Sequence, residues 1–91
     1  LHKEYRRQRQ MCIRDRGIPV IIDETGCVNK NENTSARVAW FSYYLSAAKK
    51  HGIKCFIWDN NETKNGFGLL NRKDCTWYYP EIIQAIQDAT K

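Results

Sequence analysis

At 91 residues the chain is one small domain or a part of a larger one. With 42% hydrophobic and 12% aromatic residues it is too apolar for a disordered tail. Its net charge of +5 invites a nucleic-acid reading, so the charge must first be located. Residues 1–16 hold six Lys and Arg against two acidic residues, net +4, whereas residues 17–91 hold nine against eight, net +1. The basicity belongs to the first segment, and the remainder offers phosphate backbones no attraction. A small basic nucleic-acid-binding protein therefore stands only as the alternative from another class, and no nucleic-acid partner is expected. No apolar run approaches the roughly 18–20 residues of a membrane helix, so no membrane partner is expected either.

Residues 1–16 form a separate basic segment, dense in Arg and Gln, with weak apolar periodicity. The run from Met11 to Arg16 resembles a translated sequencing-adapter remnant. The segment is read either as an artefact or as a remnant of a preceding helix. It lacks the apolar stretch and small-residue cleavage site of a secretory signal peptide.

At Gly17 the character changes. Ile18, Pro19, Val20, Ile21 and Ile22 form an apolar run rich in β-branched residues, which suits a strand buried on both faces of a parallel sheet. The run leads into Asp23 and Glu24, two carboxylates at the strand's C-terminal end. Strand alternation would point Asp23 away from Glu24. A polar, Asn-rich loop follows over residues 27–33, and then a helix. Asn33 or Thr34 can act as its N-cap. Val38, Phe41, Leu45 and Ala48 give the helix one apolar face, and Gly52 ends it.

Residues 53–58 read as a second strand ending in Trp58, Asp59 and Asn60. Strand, helix and strand in succession make a βαβ unit with parallel strands. A long loop then runs to about Tyr79, and Pro80 opens a last helix with Ile82, Ile83, Ile86 and Ala89 on its apolar face. The four cysteines include no C-x-x-C pair, and neither histidine stands at ligand spacing to them. Buried free thiols are expected in place of a zinc site or a disulfide framework, and no metal or other cofactor is expected.

In parallel α/β folds, functional residues gather at the C-terminal ends of strands. Glu24 and Trp58 occupy such positions. A carboxylate beside a flat aromatic is a pattern suited to carbohydrate, with Trp58 as a platform for a sugar ring.

Three separated strings carry a more specific signal: GIPVIIDETGCVNKN at 17–31, CFIWDNN at 55–61 and FGLLNRKDCTWYYPEIIQAI at 67–86. In this order and spacing they resemble the end of family 5 glycoside hydrolases, the cellulase family, and most of all its endo-β-1,4-glucanase branch. The resemblance implies an α/β fold, the C-terminal quarter of a TIM (β/α)8 barrel, comprising its last two β/α units. Residues 17–91 would then be the C-terminal part of the catalytic domain. Glu24 matches the catalytic nucleophile. Trp58, Asn60, Lys30 and Asn29 match substrate-binding positions, while Asp59, Trp77, Tyr78 and Tyr79 match structural ones. Trp40 and Tyr43 are expected to pack.

The activity so implied is retaining hydrolysis of internal β-1,4-glucosidic bonds in cellulose or related β-glucans. Xyloglucanase, lichenase and mannanase are the alternatives within the family. The substrate partner would be a β-glucan polysaccharide, and the full-length enzyme a secreted monomer with its signal peptide upstream. The family's acid/base Asn-Glu pair and its His-x-Tyr are not in this sequence, so the isolated chain is expected to be inactive. The sequence also departs from the family pattern: Asp23 stands where Gly is usual, and Ile57 where an aromatic is common.

Overall fold

The computed structural model describes residues 19–91. The basic segment 1–16 and the start of the first apolar run lie outside the described residues. In chain order the elements are β1 (Ile21–Thr25), α1 (Thr34–Lys50), β2 (Lys54–Ile57), β3 (Leu70–Asn71), β4 (Thr76–Trp77) and α2 (Pro80–Ala89).

β1 and β2 pair in parallel across α1, as the βαβ pattern requires. The first strand begins later than the apolar run suggests and takes in Asp23, Glu24 and Thr25. Its register holds at Ile21↔Lys54 and Ile22↔Cys55, then shifts to Thr25↔Ile57. β1 thus carries one extra residue, and Asp23 and Glu24 together stand against Phe56. Both carboxylate residues are exposed. The simple alternation expected for Asp23 and Glu24 is broken by this bulge.

α1 covers one face of the β1–β2 ribbon. Phe41, Leu45 and Ala48 are 1–3% exposed, and the first two meet Ile82 of α2 and Leu69 of the long loop in the core. Each large side chain so buried contributes about 1.5–3 kcal/mol. Arg37, not Val38, continues the innermost stripe of α1 and is 2% exposed. The other face of the ribbon is open: Ile21 is 59% and Phe56 58% exposed. The strand is therefore buried on one face in these residues, not on two.

The ends of α1 differ from each other. At the C-terminus Gly52 adopts φ 70°, which an L side chain rarely tolerates. Its amide reaches the Lys49 carbonyl at 2.9 Å, and Ile53 reaches the Ala48 carbonyl at 2.8 Å. This is a Schellman closure. At the N-terminus Asn33 makes no side-chain cap. Its Oδ1 instead accepts from the Lys30 amide at 2.9 Å, and its Nδ2 donates to the Val28 carbonyl, so the side chain folds back on the preceding loop.

The segment from Asn60 to Tyr79, expected as plain loop, contains the short antiparallel hairpin β3–β4. Asn71 and Asp74 shape its turn by accepting from the Lys73 and Thr76 amides, both at 3.1 Å. Trp77 and Tyr78 on this hairpin remain 50% and 41% exposed, so of the three adjacent aromatics only Tyr79 packs inward. Cys27 and Cys55 are partly buried free thiols, but Cys75 is exposed, against the expectation for it.

Candidate functional site at the strand ends

The amide of Trp58 donates to the Thr25 carbonyl at 2.7 Å, carrying the ladder one residue beyond β2. This bond fixes the end of one strand against the other. Glu24 and Trp58 consequently line a single open cleft of about 280 Å³, with Thr25, Gly26, Trp40, Tyr44 and Phe67. Trp58 is 43% exposed, so it is a surface aromatic and not a core one. Trp40 and Tyr44 form a stack across one turn of α1, with centroids 4.7 Å apart and planes 11° from parallel.

The loop after Trp58 is pinned by its own first residues. Asp59 accepts from the amide of Asn61 at 2.8 Å through one oxygen and from Leu69 and Leu70 at 3.0 Å through the other. Arg72 adds a 3.7 Å ion pair and a 3.0 Å hydrogen bond to the Asp59 carbonyl. Partial burial pushes the Asp59 pKa up. The amides of Asn61, Leu70 and Leu69, with the Arg72 charge, outweigh it and hold the carboxyl below its ordinary value. Asn60 acts similarly, its Oδ1 accepting from Glu62 at 3.1 Å and Phe67 at 3.0 Å. The loop doubles back so tightly that a Cβ on Gly66 would lie 2.8 Å from the Glu62 carbonyl carbon. Only glycine fits there.

A second brace joins this loop to the one after Glu24. Asn29 is 4% exposed. Its Nδ2 donates to the Thr63 carbonyl at 2.7 Å and to the Tyr79 hydroxyl at 2.9 Å, and its backbone amide donates to the Gly66 carbonyl at 2.9 Å. Below it the Arg37 guanidinium sits 5.0 Å from the centroid of the Tyr79 ring. Burial raises the pKa of the Cys27 thiol, and the adjacent Arg37 opposes that rise in part. Both a side-chain hydrogen bond to the thiol and the charge of Arg37 act in that direction, although at close hydrogen-bond distance none of the three Arg37 nitrogens has a partner among the described residues.

The structure thus brings together two of the five residues singled out from sequence, Glu24 and Trp58, in the cleft. Asn60 is next to Trp58 with its oxygen already engaged, and Lys30 is exposed on the neighbouring loop outside the cleft lining. Asn29, expected at the substrate, is buried with its amide hydrogens given to the protein, so it clamps loops instead. Phe67, Trp40 and Tyr44 were not legible as cleft residues. Phe67 arrives through the fold of a long loop, and the helical spacing of the other two signals packing alone.

The sequence model of the cellulase family, glycosyl hydrolase family 5, matches residues 2–64. Endoglucanase A of Clostridium longisporum is 49% identical over 77 residues, 80% of this chain and 15% of that protein. Among solved structures, a family 5 lichenase from Caldicellulosiruptor sp. F32 superposes with a TM-score of 0.79 at 44% identity, over 85% of this chain and 21% of that one. A broad-specificity endoglucanase from Ruminococcus champanellensis, solved with bound cellotriose, gives 0.74 at 46%, over 85% of this chain and 22% of that one. The chain spans about a fifth of the length of the proteins it matches. With the family's sequence model covering most of the chain, and its enzymes sharing the fold at this identity, the chain belongs to glycosyl hydrolase family 5.

Proposed function

We propose that this chain is the C-terminal quarter of a family 5 (β/α)8 barrel, a retaining hydrolase of internal β-1,4-glucosidic bonds, with Glu24 as nucleophile. The observation that carries the reading is the cleft shared by Glu24 and Trp58 at the C-terminal ends of adjacent parallel strands. Barrel enzymes build their active sites at that end. The open Ile21–Phe56 face supports the quarter-barrel part of the reading, because two strands alone cannot bury both faces of a sheet.

In this mechanism a Glu24 oxygen attacks the anomeric carbon while the bond to the leaving sugar breaks. A second carboxylic acid gives its proton to the leaving oxygen. The same group then takes a proton from water, and that water displaces Glu24 with net retention. The two carboxyl groups must lie roughly 5–5.5 Å apart. Glu32, Glu62 and Glu81 do not line the cleft with Glu24, so the acid comes from another part of the barrel. The 91-residue chain is accordingly inactive by itself. Trp58 supplies the face on which the sugar ring stacks, and Lys30 and Asn60 offer polar contacts near the rim.

The substrate proposed is cellulose or a related β-glucan, and the full-length enzyme is a secreted monomer. A panel of carboxymethylcellulose, barley β-glucan, xyloglucan and mannan separates endoglucanase from xyloglucanase, lichenase and mannanase. The nucleophile assignment is tested by Glu24→Gln in the full-length enzyme. Turnover should fall below about one part in a thousand of the parent. The parent's first-formed product should be the β-anomer by NMR. Near-parental turnover by the variant, or a first-formed α-anomer, would sink the assignment.

A further inference from the structure

Arg37 presents a physical anomaly. It is 2% exposed, and at close hydrogen-bond distance all three guanidinium nitrogens lack a partner among the described residues. A buried charge without a partner is costly, and an apolar side chain of similar volume would fill the place at no such cost. What the cation has here is a ring. Its guanidinium lies 5.0 Å from the centroid of Tyr79, a geometry in which a desolvated cation is attracted to the ring face. The thiol of Cys27 is its other neighbour, a weak sulfur partner that feels a side-chain hydrogen bond from Arg37 as well as its charge.

Tyr79 is where that attraction is passed on. Its hydroxyl accepts from Asn29 Nδ2 at 2.9 Å. Asn29 in turn donates to the carbonyls of Thr63 at 2.7 Å and Gly66 at 2.9 Å. Asn29 belongs to the loop leaving Glu24. Thr63 and Gly66 belong to the loop leaving Trp58, and Gly66 directly precedes Phe67 of the cleft wall. One continuous set of contacts therefore runs from α1 through the segment before α2 to both strand-end loops.

We propose that Arg37 is a positioning residue, setting the Glu24–Trp58 cleft from behind by orienting Tyr79 and, through it, the Asn29 clamp between the two loops. It touches neither substrate nor Glu24. The inference rests on the reading of the cleft as a glycosidase site for its kinetic consequence, but not for its structural one.

Two measurements separate these. In the full-length enzyme acting on barley β-glucan, Arg37→Met and Tyr79→Phe should each lower kcat about tenfold or more with KM little changed, because small displacements behind a reacting group are costly. Arg37→Lys keeps a cation over the ring and should recover most of the loss. In the 91-residue chain, the Trp58 indole and Gly66 amide resonances should shift in Arg37→Met and Tyr79→Phe and return in Arg37→Lys, while signals of the remote buried residues Ala48 and Ile53 stay in place. Unmoved Trp58 and Gly66 resonances in Tyr79→Phe, or kcat losses in all three variants that follow only the folded fraction, would overturn the proposal. Shifted resonances in the chain, with a full-length Glu24→Gln variant that still turns over, would leave the brace standing and remove the reading of this cleft as the glycosidase site.

Discussion

The two faces of the β1–β2 ribbon have opposite fates. Toward α1, Thr25 is 7% exposed and the neighbouring core residues Phe41, Leu45 and Ile82 are 2% or less. Away from α1, Ile21 and Phe56 are more than half exposed, whereas Glu24, past the bulge, lines the strand-end cleft together with Trp40 and Tyr44 of α1. One strand therefore serves two purposes. Its helix-facing residues supply stability, while its C-terminal end supplies one wall of the cleft it shares with α1. A single bulge marks the boundary between these roles, and Thr25 is buried immediately after the two exposed carboxylates.

The largest expected effects test this division directly. Ile82→Ala removes a fully buried side chain at the junction of α1 and α2, and should cost about 2–5 kcal/mol. In a chain this small that is enough to abolish a cooperative transition. Ile21→Ala, an equally apolar change on the open face, should stay within about 0.5 kcal/mol. Thermal or urea unfolding of the 91-residue chain followed by circular dichroism compares them. Equal losses would mean that the open face is covered after all, and the contrast would fail.

A smaller effect is expected at Asp59, whose carboxylate holds the cleft loop through three backbone amides. Asp59→Ala leaves those donors without their acceptor and should cost about 1–3 kcal/mol. The pH dependence has a definite sign. The folded-state pKa is lowered, so the stabilisation is complete above the unfolded value of about 4 and is lost as pH falls through the lower folded value. Parent stability should drop in that acid window more steeply than that of Asp59→Asn. Parallel curves for parent and variant would show that the loop does not depend on the charge.

Local pattern made the βαβ unit, Gly52 and Pro80 legible, because each rests on periodicity or a backbone constraint confined to neighbouring residues. Glu24 and Trp58 were legible from their places at strand ends. The bulge was not, since it depends on how β1 meets a strand some thirty residues away. The burial of Asn29 was hidden for a related reason. Its partners Thr63 and Tyr79 are 34 and 50 residues distant, and an Asn in a polar loop gives no sign of being buried. The β3–β4 hairpin escaped because two-residue strands are too short to show alternation. The hidden position of Arg37 contradicts its residue type outright, which is why helical spacing assigned its place to Val38.

The smallest effect is chemical and resolves the covered side residue by residue. Thiolate, not thiol, reacts with alkylating agents, so both access and pKa set the rate. Cys75 is exposed at the hairpin turn, whereas Cys27 and Cys55 are partly buried against the core. Burial also raises the pKa of Cys27, with Arg37 opposing it, and burial alone raises that of Cys55. At pH 8, iodoacetamide followed by peptide mapping should, among the three described cysteines, modify Cys75 first, with Cys27 and Cys55 clearly slower. Comparable rates at Cys27 and Cys75 would show that the loop beneath Asn29 opens readily. The covered face would then be a property of α1 and α2 alone, and the strand-end loops would belong with the open one.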